Sequence, residues 1–132
     1  MLPVLVIGVG KLKESWAREG CAEYIKRLSR YCQLEIREIP DQPEPSSLSD
    51  ASVEQVKTRE GEGILSQIRP GDRVAALCID GRGCSSPQLA QKLQAWSMDG
   101  KRLVLVIGGS LGLGENVLRR ADEKLSFSQM YV

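Results

Sequence analysis

The chain has 132 residues, 42% of them hydrophobic, with 18 Lys or Arg against 17 Asp or Glu, a net charge of +1 and no histidine. That length makes one domain the default and supports a sizeable core, while near-neutrality excludes a global basic field for nucleic acid and leaves only a local patch. The lack of histidine excludes Ser-His and Cys-His nucleophile pairs, and Cys21, Cys32, Cys78 and Cys84 have no C-x-x-C spacing, which argues against zinc and a redox dithiol.

The opening segment, Met1 to Ile7, is apolar but carries no basic n-region and no small-residue cleavage site. It reads as a first strand running to Val9, not as a signal peptide, and the expectation is a cytoplasmic protein. No apolar run is long enough to span a bilayer. Gly8-Val9-Gly10 starts a G-x-G pattern, but Lys13 stands where the third glycine of a dinucleotide fingerprint belongs. Residues 14–31 have a helical period, with Cys21, Tyr24, Ile25 and Leu28 on one stripe.

Cys32 to Ile39 alternates and predicts a second strand with one face partly solvated. Residues 40–49, with three prolines and three serines, predict a loop. A second helix starts near Ser49 or Ser52, where Ser52-Val53-Glu54-Gln55 fits a capping box, and runs to about Ile68. Gly61 and Gly63 interrupt it, which either weakens the helix or marks a close packing contact.

Val74 to Ile79 predicts a third strand, buried on both faces, with Asp80-Gly81-Arg82-Gly83 as a turn at its carboxyl end. Asp80 is either a turn-former or a polar ligand group, the first being favoured. Ser86-Pro87 starts a third helix that Gly100 closes. Leu103-Val104-Leu105-Val106-Ile107 is an unbroken apolar run leading into four glycines within seven positions, Gly108 to Gly114. In open α/β sheets ligands gather past the carboxyl ends of strands, so this loop is the candidate binding site, although an empty flexible turn fits the pattern equally well. A short helix from Glu115 to about Ala121 and an alternating strand from Leu125 to Val132 complete the order βαβαβαβαβ. The fold class expected is α/β, a mostly parallel five-stranded sheet with helices on both faces.

Several stretches resemble the RlmH family of SPOUT-class methyltransferases. They are Val6-Ile7-Gly8-Val9-Gly10-Lys11-Leu12-Lys13, Glu54-Gln55-Val56-Lys57-x-x-Glu60-Gly61, Leu77-x-Ile79-x-Gly81, Val106-Ile107-Gly108-Gly109-Ser110-x-Gly112 and Leu125-Ser126-Phe127-Ser128-x-Met130. The last two, in this order and spacing, are the most specific. The resemblance implies an α/β-knot fold and S-adenosyl-L-methionine (AdoMet) as methyl donor. It also implies a homodimer without metal or membrane, and 23S rRNA in the ribosome as partner, with N3 of a pseudouridine as acceptor. Carried onto this chain, the cofactor contacts are Leu77, Gly108, Phe127, Ser128, Gln129, Met130, Tyr131 and Val132.

The family continues beyond its last strand with a Pro-His turn, a helix rich in Arg, Glu and Tyr, and a Tyr-His tail, none of which follows Val132 here. The expectation is therefore a single domain, residues 1–132, truncated at its C-terminus, with the completeness of the knot left open. No catalytic base is evident; Glu115 and Asp80 are the available carboxylates and neither is chosen. Lys11, Lys13, Arg82, Arg119 and Arg120 are the candidate cations for an RNA face. Two other readings stay open. One is a catalytically inactive module that binds AdoMet weakly or not at all. The other, weaker one is a nicotinamide-dinucleotide oxidoreductase argued from Gly8 and Gly10.

Overall fold

A computed structural model describes residues 2–9, 32–40, 49–83, 86–108 and 112–126. Five strands, β1 (Leu2–Val9), β2 (Cys32–Ile39), β3 (Arg73–Gly83), β4 (Leu103–Ile107) and β5 (Glu123–Ser126), form one sheet in the order β2-β1-β4-β3-β5. Every pairing is parallel. The described helices are α1 (Asp50–Leu65), α2 (Ser86–Ser97) and α3 (Glu115–Arg120). The helix expected over 14–31 and most of the loop expected over 40–49 lie outside the described residues.

Alternation within each strand sorts the core into two layers, as expected for a sheet covered on both faces. Leu5, Ile7, Val74, Val104 and Val106 pack with Ile64 of α1 and Val117 of α3. Leu2, Val4, Ala75, Leu103 and Leu125 pack with Trp96 of α2. A parallel sheet buried this way requires nearly continuous apolar strands, and β4 and β1 supply them.

The structure fixes or shifts the element limits at four places, each for a local reason. Ser49, not Ser52, caps α1: its backbone is extended and its Oγ accepts the N–H of Ser52 at 3.2 Å. Ser52 is the N3 residue of that cap, so a box starting at Ser52 does not form. At the other end, Gln67 and Ile68 donate to Ile64 and Leu65 at 3.0 and 3.1 Å, tight turns that stop α1 at Leu65 rather than Ile68.

β3 continues through Asp80-Gly81-Arg82-Gly83, where a turn was expected. Its register against β5 shifts between Leu77 and Arg82, so that Leu125 is the partner of both. β5 begins at Glu123 rather than Leu125 because Asp122 ties its start to β3. The Asp122 N–H donates to the Val74 carbonyl and its carboxylate accepts the Val74 N–H, both at 2.8 Å.

A charged network holds the amino ends of β3 and β4 together. Asp72 is buried, with 5% of its side chain exposed. It accepts Nη2 and Nε of Arg102 at 2.6 and 3.1 Å and the Arg69 N–H at 2.8 Å. Arg102 also reaches the Gln67 carbonyl at 3.1 Å. Arg120 donates to the carbonyls of Arg69 and Asp72. Arg73 pairs with Asp99 and lies 5.5 Å from the centroid of the buried Trp96 ring. A polar cleft of about 400 Å³ opens here, lined by side chains already engaged with one another, Asp72, Arg73, Arg120 and Asp122 among them.

Burial alone would raise the Asp72 pKa. The Arg102 and Arg69 hydrogen bonds and the positive charges of those two residues outweigh it, and the carboxyl sits below its ordinary value. Arg102 is raised in turn, chiefly by its hydrogen bond to Asp72. Because the folded pKa is depressed, the pair's contribution is present above the ordinary carboxylate pKa and is lost as pH falls through the folded value. Asp72→Asn leaves a buried guanidinium without its counter-charge and is expected to cost about 2–4 kcal/mol in urea denaturation near pH 7. Below about pH 4 the wild type should lose stability faster than the variant, narrowing that gap.

Candidate active site

All five strands point the same way, so their carboxyl ends share one edge of the sheet. There β4 ends at Ile107, which is paired with Gly8 of β1 on one side and Leu77 of β3 on the other. Leu77 is also paired with Leu125 of β5. One cross-strand row therefore reads Gly8, Ile107, Leu77, Leu125, and Gly108 follows Ile107 directly. Leu77 and Gly108, expected to touch one ligand from sequence positions far apart, are thus brought side by side.

Leu77 is half-buried at the rim of the core layer under α2. Ile107 is 44% exposed although it ends the most apolar run in the chain. It belongs to the same apolar edge and was missed by sequence reasoning, whose signal for it was only that position at the end of the run. Gly8 leaves the row open, since a methyl there would meet nothing within 4 Å.

The glycine loop is folded back on itself. A Cβ on Gly108 would lie 2.9 Å from the Gly112 carbonyl carbon and 3.0 Å from the Leu113 side chain. Gly112 has φ +87°, a conformation that favours glycine. Gly114 caps α3 in an extended conformation, and a Cβ there would lie 2.8 Å from the Lys57 carbonyl oxygen on α1. The described parts of the loop are therefore held to the fold through close backbone contact at Gly108 and Gly114.

Phe127, Ser128, Gln129, Met130, Tyr131 and Val132 lie outside the described residues, as do Lys11, Lys13, Cys21 and Cys84. The residue before them, Ser126, is paired with Gly83 in the extension of β3 beyond Leu77. Asp80 and Arg82 lie in the β3 backbone, with their side chains outside the described part. Glu115 is exposed on the first turn of α3.

Of the candidate RNA-facing cations, Arg119 is exposed, but Arg120 is not at this edge. It sits at the opposite end of α3, bonded to the Arg69 and Asp72 carbonyls and 3.4 Å from the Asp122 carboxylate. Its role is structural. Cys32 starts β2 at that same opposite edge, and burial raises its thiol pKa, which disfavours a nucleophilic thiolate. Among the described residues no cluster of His, Cys, Asp and Glu could hold a metal ion, and no helix is long and apolar enough to cross a membrane. The described edge thus offers apolar side chains and glycine backbone, groups that bind and orient a ligand.

The profile of a family described as "Predicted SPOUT methyltransferase" matches residues 2–132. A protein of Alkaliphilus oremlandii named "Ribosomal RNA large subunit methyltransferase H" is 52% identical over 128 residues, covering 96% of this chain and 80% of the relative. Proteins of the same name in Exiguobacterium sibiricum and Limosilactobacillus reuteri are each 46% identical. The first match covers 98% of this chain and 82% of the relative. The second covers 96% and 80%.

The loop geometry has a direct consequence for stability. Gly108→Ala forces a methyl against backbone and should cost about 1–3 kcal/mol. Gly71→Ala, where an added methyl meets nothing within 4 Å, should stay within about 0.5 kcal/mol of wild type. Urea denaturation of the two variants checks the difference.

Proposed function

The chain belongs to the SPOUT methyltransferase family, and from that membership we infer an enzyme that methylates ribosomal RNA of the large subunit. The observation that carries this reading is identity of 46–52% over almost the whole chain to proteins named for that activity. The folded-back glycine loop at the carboxyl edge supports it. The relatives' names lend no support to an inactive module, and the family lends none to a dinucleotide oxidoreductase.

We further propose AdoMet as the donor and N3 of a pseudouridine in 23S rRNA as the acceptor. Residues 1–132 then belong to a single domain, in a protein that acts in the cytoplasm as a homodimer without a metal. Leu77, Gly108, Phe127, Ser128, Gln129, Met130, Tyr131 and Val132 are its proposed cofactor contacts. The described edge suits an adenosine. Leu77 and Ile107 are neighbours in one apolar row. At Gly108 the backbone leaves β4, so its amide and carbonyl lie outside the ladder. Such groups suit an adenine edge and ribose hydroxyls.

Bound AdoMet supplies an electrophilic methyl group on a positively charged sulfur. The chain's own contribution is positional: it holds donor and acceptor so that the methyl lies in line with N3. Transfer to N3 would require N3 to give up its proton to a base. Glu115, exposed on α3, has no contact that marks it for that role.

The test is to incubate the chain with AdoMet carrying a labelled methyl group and with ribosomes, then to map label in the 23S rRNA. Label on a pseudouridine N3 is the expected outcome. Binding of AdoMet without transfer to any ribosomal RNA would overturn the activity. Leu77→Ala removes one apolar wall and should weaken AdoMet binding roughly tenfold in calorimetry.

A further inference from the structure

The glycine loop that ends at Gly114 lands on one turn of α1, the turn that carries Lys57-x-x-Glu60-Gly61. Three contacts fix the landing. Gly114 abuts the Lys57 carbonyl, as its missing Cβ shows. Asn116 Nδ2 donates to the Thr58 carbonyl at 3.2 Å, while its Oδ1 accepts the Val117 N–H at 3.0 Å. Gly61 leaves the room for that amide, because a methyl there would overlap Oδ1 and lie 2.8 Å from Nδ2. The two glycines of α1 are thus close packing contacts; Gly63 makes way for Ile39 in the same manner, with a Cβ there 2.9 Å from Cγ2.

These contacts reach the ligand edge by a short path. The limb that returns to α1 contains Gly112 and Leu113, and both would touch a Cβ on Gly108. Leu113 is packed against the core layer shared by Ile64 and Val117. Moving the landing on α1 therefore moves the limb against which Gly108 rests. Backbone amides and carbonyls have no rotamers with which to absorb such a shift, so their aim is set wholly by how the loop is anchored.

We propose that Asn116 and Gly61 are positioning residues for AdoMet, a side-chain amide and a vacant Cβ site that together set the loop from outside the ligand edge. This rests on the reading of Gly108 as a cofactor contact. Neither residue need touch AdoMet.

The experiment is AdoMet calorimetry on the wild-type chain, Asn116→Ala, Gly61→Ala and the double variant, with circular dichroism confirming that each is folded. Gly61→Ala displaces the amide and should weaken AdoMet roughly tenfold, with Asn116→Ala weakening it by several-fold. In the Asn116→Ala background the Gly61→Ala methyl has space, so the double variant should bind no more weakly than Asn116→Ala alone. In methyl transfer the KM for AdoMet should rise while kcat at saturating AdoMet and the KM for ribosomes hold. A loss of stability with AdoMet affinity unchanged in folded Asn116→Ala would overturn the proposal, as would independent, additive losses in the two single variants. A wild-type chain that does not bind AdoMet would overturn the cofactor reading and this proposal together, which separates the two failures.

Discussion

The structure depends on the burial of β4 on both faces. It stands at the centre of the sheet order, paired with β1 and β3. Val104 and Val106 enter one core layer while Leu103 enters the other, all fully buried. A strand with no polar face can be stabilised only if helices cover both sides, and its neighbours must then run parallel through crossover connections. The common direction of the strands follows, and with it a division between the two edges of the sheet. Every carboxyl end, and every loop leaving one, lies on the same side.

The two edges are built from different chemistry. At the amino edge, charged side chains cross-link the turn before β3, the start of β4 and the end of α3 through Asp72, Arg102 and Arg120. Nearly every donor is aimed at a carboxylate or a backbone carbonyl that would otherwise be left unpaired near the core. Among the described residues the carboxyl edge has the opposite character, with Gly8, Ile107, Leu77 and Gly108 in one place. A sheet locked at one end by ion pairs can leave the other end to glycine and exposed apolar side chains without losing its register.

Most of this arrangement was legible in the sequence because it rests on burial. The apolar runs of β1 and β4 and the alternation of β2 predict their strands, and the apolar spacing of α1 predicts its body. Leu77 and Gly108 were legible as a pair only through resemblance; periodicity gives each a place in a strand or loop but not their adjacency. The extension of β3 was hidden because Asp80-Gly81-Arg82-Gly83 has the composition of a turn, whereas pairing with β5 keeps it extended. The start of β5 was hidden because Glu123 and Lys124 carry no apolar signal and Asp122 acts through hydrogen bonds to Val74 on the neighbouring strand, distant in sequence. In α1, Gly61 reads locally as a weak point of the helix. The neighbour it makes room for, Asn116, stands beyond β3 and β4 in the sequence, so the local pattern offers a packing contact without naming its partner.

The outer strand β2 has a consequence for assembly. Its exposed residues are Gln33, Glu35, Ile36 and Glu38, and Arg37 bonds both the Glu35 carboxylate at 2.9 Å and Gln67 at 2.6 Å. Charged side chains on a strand at the end of the sheet order, Glu35 and Arg37 on one face and Glu38 on the other, weaken its pairing with a second strand of the same kind. Extension of the sheet from one molecule into the next through β2 is thereby disfavoured. Open-ended growth of one sheet through successive molecules needs both terminal strands, β2 and β5, so charge on β2 alone works against it.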